Sequence, residues 1–260
     1  MNRTRKIKII APSKNQTGFT LVELMIGLFI SSLVMATVGM LYVNQSKIYS
    51  KLDDIAGIQQ NLRGVLTILP MEIRLAGCDP TESHVAGILG ATRTQLQFTR
   101  DIRGGVANSN IADGDVTDAE ENIAYTLTAR DNITNIAVAA DNNGDGIVDS
   151  GGANWNWGNT TPALGRQTGG AGGFQPLADN IEALEFNYIL DDGTTTLTPP
   201  ALNKIRSVQV SLLARATNPA DDYRHANLTY TTASGAVWNP PQDRYRRRLV
   251  ITTIQCRNMR

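Results

Sequence analysis

Histidine and cysteine are nearly absent: His84, His225, Cys78 and Cys256 are all that 260 residues supply. Neither histidine has a recognisable partner, and no Gly-x-Ser-x-Gly, phosphate loop or His-Glu-x-x-His occurs, so no catalytic constellation is legible and no enzyme is expected. The cysteines lack CxxC spacing and a neighbouring histidine cluster, which argues against a zinc site. No internal repeat stands out. Net charge is also missing, with 24 basic and 24 acidic side chains, but it is missing unevenly. No acidic residue precedes Gly18, whereas Arg3, Arg5, Lys6, Lys8 and Lys14 do. Without those five cations 19 basic and 24 acidic side chains remain, a formal charge of about −5, which argues against a general nucleic-acid binder.

What is abundant is one apolar run. Residues 19–43 read FTLVELMIGLFISSLVMATVGMLYV, 25 residues with Glu23 as the single charge. At about 1.5 Å per residue, such a helix spans a hydrocarbon core about 30 Å thick. The basic stretch before it should stay cytoplasmic, which sends everything after Val43 across the inner membrane. A secretory signal would have a shorter apolar region with a small-x-small cleavage site behind it, so this run is read as retained. Glu23 is the anomaly, because a carboxylate in the membrane costs up to about 3 kcal/mol unless it snorkels or finds a partner.

The residues around it, Gly18-Phe19-Thr20-Leu21-Val22-Glu23, resemble the type IV prepilin cleavage signature. That resemblance implies that a prepilin peptidase cuts after Gly18, that the new Phe19 amine is methylated, and that Glu23 of one subunit pairs with the Phe19 amine of a neighbour. Opposite charges meeting in low dielectric would turn a costly group into an assembly and register device.

Beyond Val43 a helical period continues through Ile48, Leu52, Ile55, Leu62, Val65, Leu66, Leu69 and Ile73, so an amphipathic continuation is predicted to about Ala76. Pro70 should kink or break it, and Gly77 should stop it. Short alternating runs then predict strands over residues 95–98, 123–127, 136–138, 184–190, 205–213 and 247–256, with a turn at Asp191-Asp192-Gly193. Residues 151–173 and 194–200, rich in Gly, Asn, Thr and Pro, read as surface loops. The segments MEIRLAG from Met71, QPLADNIEALEFNY from Gln175, IRSVQVSLLARA from Ile205 and YRRRLVITTIQCRN from Tyr245 resemble the PilW-type minor pilins, relatives of the J-type pseudopilins of type II secretion. The resemblance covers most of the chain.

It implies an α+β, pilin-like fold, with a long N-terminal helix packed on a mainly antiparallel β-sheet head. The expected division is a cleaved leader over 1–18, a membrane and filament-core helix over 19–43, its amphipathic continuation over 44–77, and a head over 78–260 with loops near 139–174 and 191–200. The implied partners are other minor and major pilins, the peptidase, an inner-membrane assembly platform and a PilY-type tip protein. The implied place is the inner membrane with a periplasmic head, then the pilus, where the subunit would prime assembly at the tip and support adhesion, motility or DNA uptake. A pseudopilin of type II secretion and a membrane-anchored binding module that never polymerises are the alternatives.

Three further features carry candidate chemistry. In an exported head, Cys78 and Cys256 are either a disulfide, worth roughly 4 to 5 kcal/mol by loop closure, or two separate thiols. Asp141, Asn143, Asp145, the Ile147 carbonyl and Asp149 follow the start of a calcium-loop pattern with Gly146 at its sharp turn, but Gly152 stands where a bidentate Glu would close it. The segment is either a calcium site completed from elsewhere or an Asx-rich turn; no cofactor is required. The stretch Asp113, Asp115, Asp118, Glu120 and Glu121 reads as a solvated acidic loop. Arg244, Arg246, Arg247 and Arg248 around Tyr245 read as an edge strand pairing with acidic neighbours in a filament in preference to a nucleic-acid patch. Mass spectrometry of the protein purified from cell envelopes should find a mature chain starting at a methylated Phe19; a functional protein that keeps its first eighteen residues would refute the processing scheme.

Overall fold

A computed structural model describes residues 18–104, 111–118, 120–131, 137–150, 153–155, 160–170, 172–220 and 223–259. The basic residues ahead of Gly18, Ile136 and parts of the loop expected over 151–173 lie outside the described residues. The chain divides into two units, Met1–Tyr49 and Ser50–Arg260.

Helix α1 (Leu21–Arg74) crosses that division. Its residues up to Tyr49 are exposed, apolar side chains included. The hydroxyls in this stretch turn back on the helix: Ser31 Oγ donates to the Gly27 carbonyl (2.7 Å), Ser32 to Phe29 (2.7 Å) and Thr37 to Leu33 (2.9 Å). Polar groups are thereby satisfied without a solvent partner, as a hydrocarbon environment demands. From Ser50 onward the helix buries one stripe, Ile58, Leu62, Val65, Leu69 and Ile73, at the three- and four-residue spacing of a single face. The helix continues through Pro70, so of the expected kink or break the break does not occur. Proline deprives only the Leu66 carbonyl of its donor, and Leu66 is exposed, so water can replace that one bond. Termination comes from Gly77, whose φ of +74° is left-handed and strained for any residue with a Cβ.

Among the described residues fourteen strands follow: β1 (Ile88–Ala91), β2 (Gln95–Thr99), β3 (Asn122–Asp131), β4 (Ala137–Ala139), β5 (Asp149–Ser150), β6 (Ala153–Asn154), β7 (Thr160–Thr168), β8 (Gln175–Asp179), β9 (Ile181–Leu190), β10 (Thr195–Thr196), β11 (Ile205–Arg215), β12 (Tyr230–Thr231), β13 (Val237–Trp238) and β14 (Arg247–Gln255). One sheet runs β1-β2-β3-β7-β8 with β4 also on β3, and another runs β10-β9-β11-β14; β12-β13 and β5-β6 form small ribbons. The named strand pairs are all antiparallel. Phe98, Tyr125, Leu127 and Leu164 from the first sheet share one core with Phe186, Tyr188, Val208 and Ile254 from the second and with the buried stripe of α1.

The six strands expected from alternation are present, the third seen over its described residues, and the turn at Gly193 (φ +81°) joins β9 to β10. The expected surface loop over 151–173 is the main correction, because β7 lies within it and pairs with both β3 and β8. Its composition misled. Pro162 sits just past the last β7–β8 residue pair, Ala163 with Asp179, where a missing N–H breaks no ladder on that side. Gly165 is required by packing, since a Cβ there would run into Cγ2 and Oγ1 of Thr128 on β3.

Charge is also buried in the second sheet. Glu182 on β9 holds Arg247 on β14 (Nε to Oε2, 2.6 Å) and Arg215 on β11 (3.3 Å), while Asp243 takes the other side of Arg247 through two bonds of 2.7 and 2.6 Å. Burial alone would raise the Asp243 pKa, but the bonds from Arg247 outweigh it and hold the carboxyl below its ordinary value. The run of arginines thus pairs within its own chain: Arg247 here, and Arg246 with Asp54 of α1 (3.6 Å) while stacking on Tyr223. Next to this network His225 is fully buried, and it has neighbours that the sequence did not reveal. Its backbone amide donates to the Asp243 carbonyl (2.7 Å), and its ring Nε2 lies 3.3 Å from the Tyr230 hydroxyl. Burial first, then the positive charge of Arg247, lowers its pKa below the ordinary 6.5.

Two outcomes follow for stability. Gly165→Ala should cost about 1 to 3 kcal/mol in urea unfolding, an overpacking penalty at an interior strand. A histidine held neutral in the fold stabilises above its unfolded pKa, and that contribution is lost as pH falls below 6.5. The unfolding temperature should therefore drop between pH 7.5 and pH 5.5, the drop should flatten in His225→Gln, and a further loss should appear as Asp243 protonates at lower pH.

Candidate functional site

The candidate processing and assembly residues lie at the start of α1. Gly18, Phe19 and Thr20 precede the helix without regular structure. The Glu23 N–H donates to Thr20 Oγ1 (3.2 Å), and the Leu24 N–H to the Thr20 carbonyl (3.1 Å). Thr20 is thus the N-cap and Glu23 the third helical residue, the spacing of a capping box. A carboxylate in the first turn is also favoured by the positive end of the helix dipole. The capping role of Thr20 was overlooked in reading the signature for Gly18, Phe19 and Glu23 alone, although Thr-x-x-Glu before an apolar run is itself a helix-start signal. Phe19, Leu21, Met25, Phe29 and Met35 are all exposed, on an apolar window of which none is buried within the chain.

At the other end of α1, in the segment that starts at Met71, stands a residue to which no motif assigned a role. Glu72 is buried, and its carboxylate accepts two bonds from Arg166 on β7 (Nε 3.0 Å, NH2 2.6 Å), one from Arg100 (3.5 Å) and one from the Tyr125 hydroxyl on β3. Burial, followed by the charge of Glu72, pushes the tyrosine hydroxyl far above its ordinary range. A buried carboxylate so enclosed fixes the last turns of the helix on the first sheet at one register. The signal available in the sequence was a lone Glu on the apolar stripe, between Leu69 and Ile73.

The other sequence candidates are placed as follows. Asp141 accepts the Gly144 and Gly146 amides (2.8 and 3.0 Å), Asn143 Oδ1 the Asp145 amide (3.0 Å), and Asp145 Oδ1 the Ile147 amide (2.9 Å). Asp149 is buried and bonded to Asn142 through the backbone amide (3.1 Å) and Nδ2 (2.6 Å). These oxygens serve the turn itself, with Gly146 at φ +83° against the Leu184 carbonyl. Among the described residues, Asp113, Asp115 and Asp118 form a group with carboxylate oxygens within 4.8 Å of one another, a set that could offer oxygen ligands to a cation. Burial, then Asp113 and Asp115, raises the pKa of Asp118. Cys78 and Cys256 are free thiols and form no disulfide in this structure. Burial raises both, Cys256 to about 12, so neither is a reactive thiolate at neutral pH.

Comparison with known proteins bears on both ends of the chain. The family model described as Type IV Pilus-assembly protein W matches residues 147–258, and the prokaryotic N-terminal methylation motif matches residues 13–39. No curated protein matches the sequence. Among solved structures, a type IV-like pilin from Thermus thermophilus is similar over 77% of this chain and 97% of its own, at 15% identity and a TM-score of 0.45. The methylation motif thus falls on the capped apolar helix and the pilus-assembly family model on the part of the head that holds the second sheet, so at both ends the chain is similar to type IV pilin-like proteins of the PilW kind.

Proposed function

We propose that this protein is a minor pilin of a type IV pilus that is cut after Gly18, methylated at Phe19 and assembled through its N-terminal helix. One observation carries the reading: an apolar helix surface, exposed from Phe19 to Tyr49, that opens with a single acidic residue one turn in from the expected amine. Such a surface is not tolerated in water and calls for lipid before assembly and for neighbouring helices afterwards. The inner membrane holds the subunit with its head in the periplasm. Within a filament, Glu23 answers the Phe19 amine of an adjacent subunit, so both desolvated charges are compensated and the register is set. The head primes assembly near the tip with other minor pilins, on the inner-membrane platform, and displays a PilY-type tip protein. The work is structural and draws on no catalytic group.

Glu23→Ala should insert and be cleaved like the wild type but reach sheared surface filaments at a level reduced by about tenfold, a loss of roughly 1.4 kcal/mol of assembly free energy. Immunoblots of membrane and filament fractions provide the measurement, and wild-type incorporation would remove the role given to Glu23. Deletion of the protein should abolish surface pili; loss of enzyme secretion with pili intact would favour the pseudopilin alternative.

A further inference from the structure

Strand β14 leaves one side of its backbone open. It is the last strand of its sheet, paired with β11 over nine residues without a register shift. The Cys256 N–H donates to the Arg206 carbonyl (2.9 Å), one step beyond the paired register. In an antiparallel ladder the hydrogen-bonded pairs alternate, so Arg248, Val250, Thr252 and Ile254 direct their backbone groups at β11. Leu249, Ile251, Thr253 and Gln255 direct theirs outward, and among the described residues no backbone group answers them. Natural edges are usually blunted by proline, lysine, a bulge or brevity. Residues 247–255 contain none of these devices, and their only charges stand at one end, Arg247 paired with Glu182 and Asp243, and Arg248.

Beside this edge runs a groove of about 570 Å³ between the end of α1 and the end of β14. Leu66, Pro70, Met71 and Ile254 give it an apolar floor, with Met71 57% exposed. Arg74 and Arg257 stand at one end, both exposed and with no acidic partner among the described residues. A strand added to β14 would lie about 4.8 Å from it, with every second side chain over that floor.

The geometry points to β14 as a docking edge for an extended segment of a partner protein. That segment has alternating apolar side chains and a carboxylate at the end that meets Arg74 and Arg257. Backbone hydrogen bonds supply the affinity, and the groove and the two guanidinium groups supply the specificity. A second copy of this chain is the poorer occupant, because antiparallel β14 pairing would bring Arg247 and Arg248 of one copy toward Arg257 of the other, like charge against like.

The test uses the full chain in detergent micelles and hydrogen exchange read by NMR. The probe is a synthetic octapeptide of alternating Val and Thr with Glu at both ends. It should slow exchange at the Leu249, Ile251, Thr253 and Gln255 amides by about tenfold or more. The same peptide N-methylated at alternate residues should give no protection. Arg74→Glu with Arg257→Glu should weaken binding at least about tenfold and transfer the preference to a Lys-ended peptide. Thr253→Pro removes one outward N–H and no bond to β11, so it should melt like the wild type and lose the peptide. Unchanged exchange at millimolar peptide, equal protection by the N-methylated probe, or wild-type binding by Thr253→Pro would overturn the assignment. Protection that grows with protein concentration in the absence of peptide would overturn it in favour of self-pairing.

Discussion

A helix that must satisfy hydrocarbon along one stretch and a protein core along another can keep its hydrogen bonds unbroken only if its side chains change solvent midway. Helix α1 does this within 54 residues. Its first half is apolar all round, and its three hydroxyls from Ser31 to Thr37 are spent on its own carbonyls. Its second half narrows to a stripe beginning at Ile58. The head depends on this change, because that stripe is one wall of the core that also takes in Tyr125, Phe186 and Val208.

Apolar stripes slide, and carboxylates do not. Glu72 converts a greasy contact into a fixed one, since moving the helix by a turn would strand a charge whose burial is tolerable only while Arg166, Arg100 and Tyr125 surround it. The second sheet uses the same device across its strands, where Glu182 and Asp243 enclose Arg247. Both anchors leave the molecule sensitive to the loss of any one partner, more than to the loss of a methyl group.

The legible parts of the fold were those with a strong period. Residues 184–190 alternate Leu, Phe, Tyr and Leu, and residues 19–43 are apolar without interruption. β7 was not legible, because Pro162 and Gly165 are turn residues by composition and strand residues only through their surroundings, the unpaired flank past β8 and the crowding by Thr128. At the N-terminus Gly18, Phe19 and Glu23 came from a resemblance, whereas the cap at Thr20 was open to plain pattern reading. Of the anchors, Glu72 left one faint signal, its place on the apolar stripe, and Glu182 left none. Nothing local names the partners, distant in sequence, that will enclose either glutamate.

The cap at Thr20 also says something about where the chain can begin. Only Phe19 and Thr20 would stand between a cut after Gly18 and the first helical residue, Leu21. An end displaced two positions inward would delete the hydroxyl that receives the Glu23 amide, and in the proposed lipid setting no water could substitute for it. Under the proposed assembly, an end displaced outward would carry the amine away from the Glu23 of the next subunit. The tolerance of this terminus is therefore about one residue, narrower than the glycine of a cleavage motif would suggest by itself.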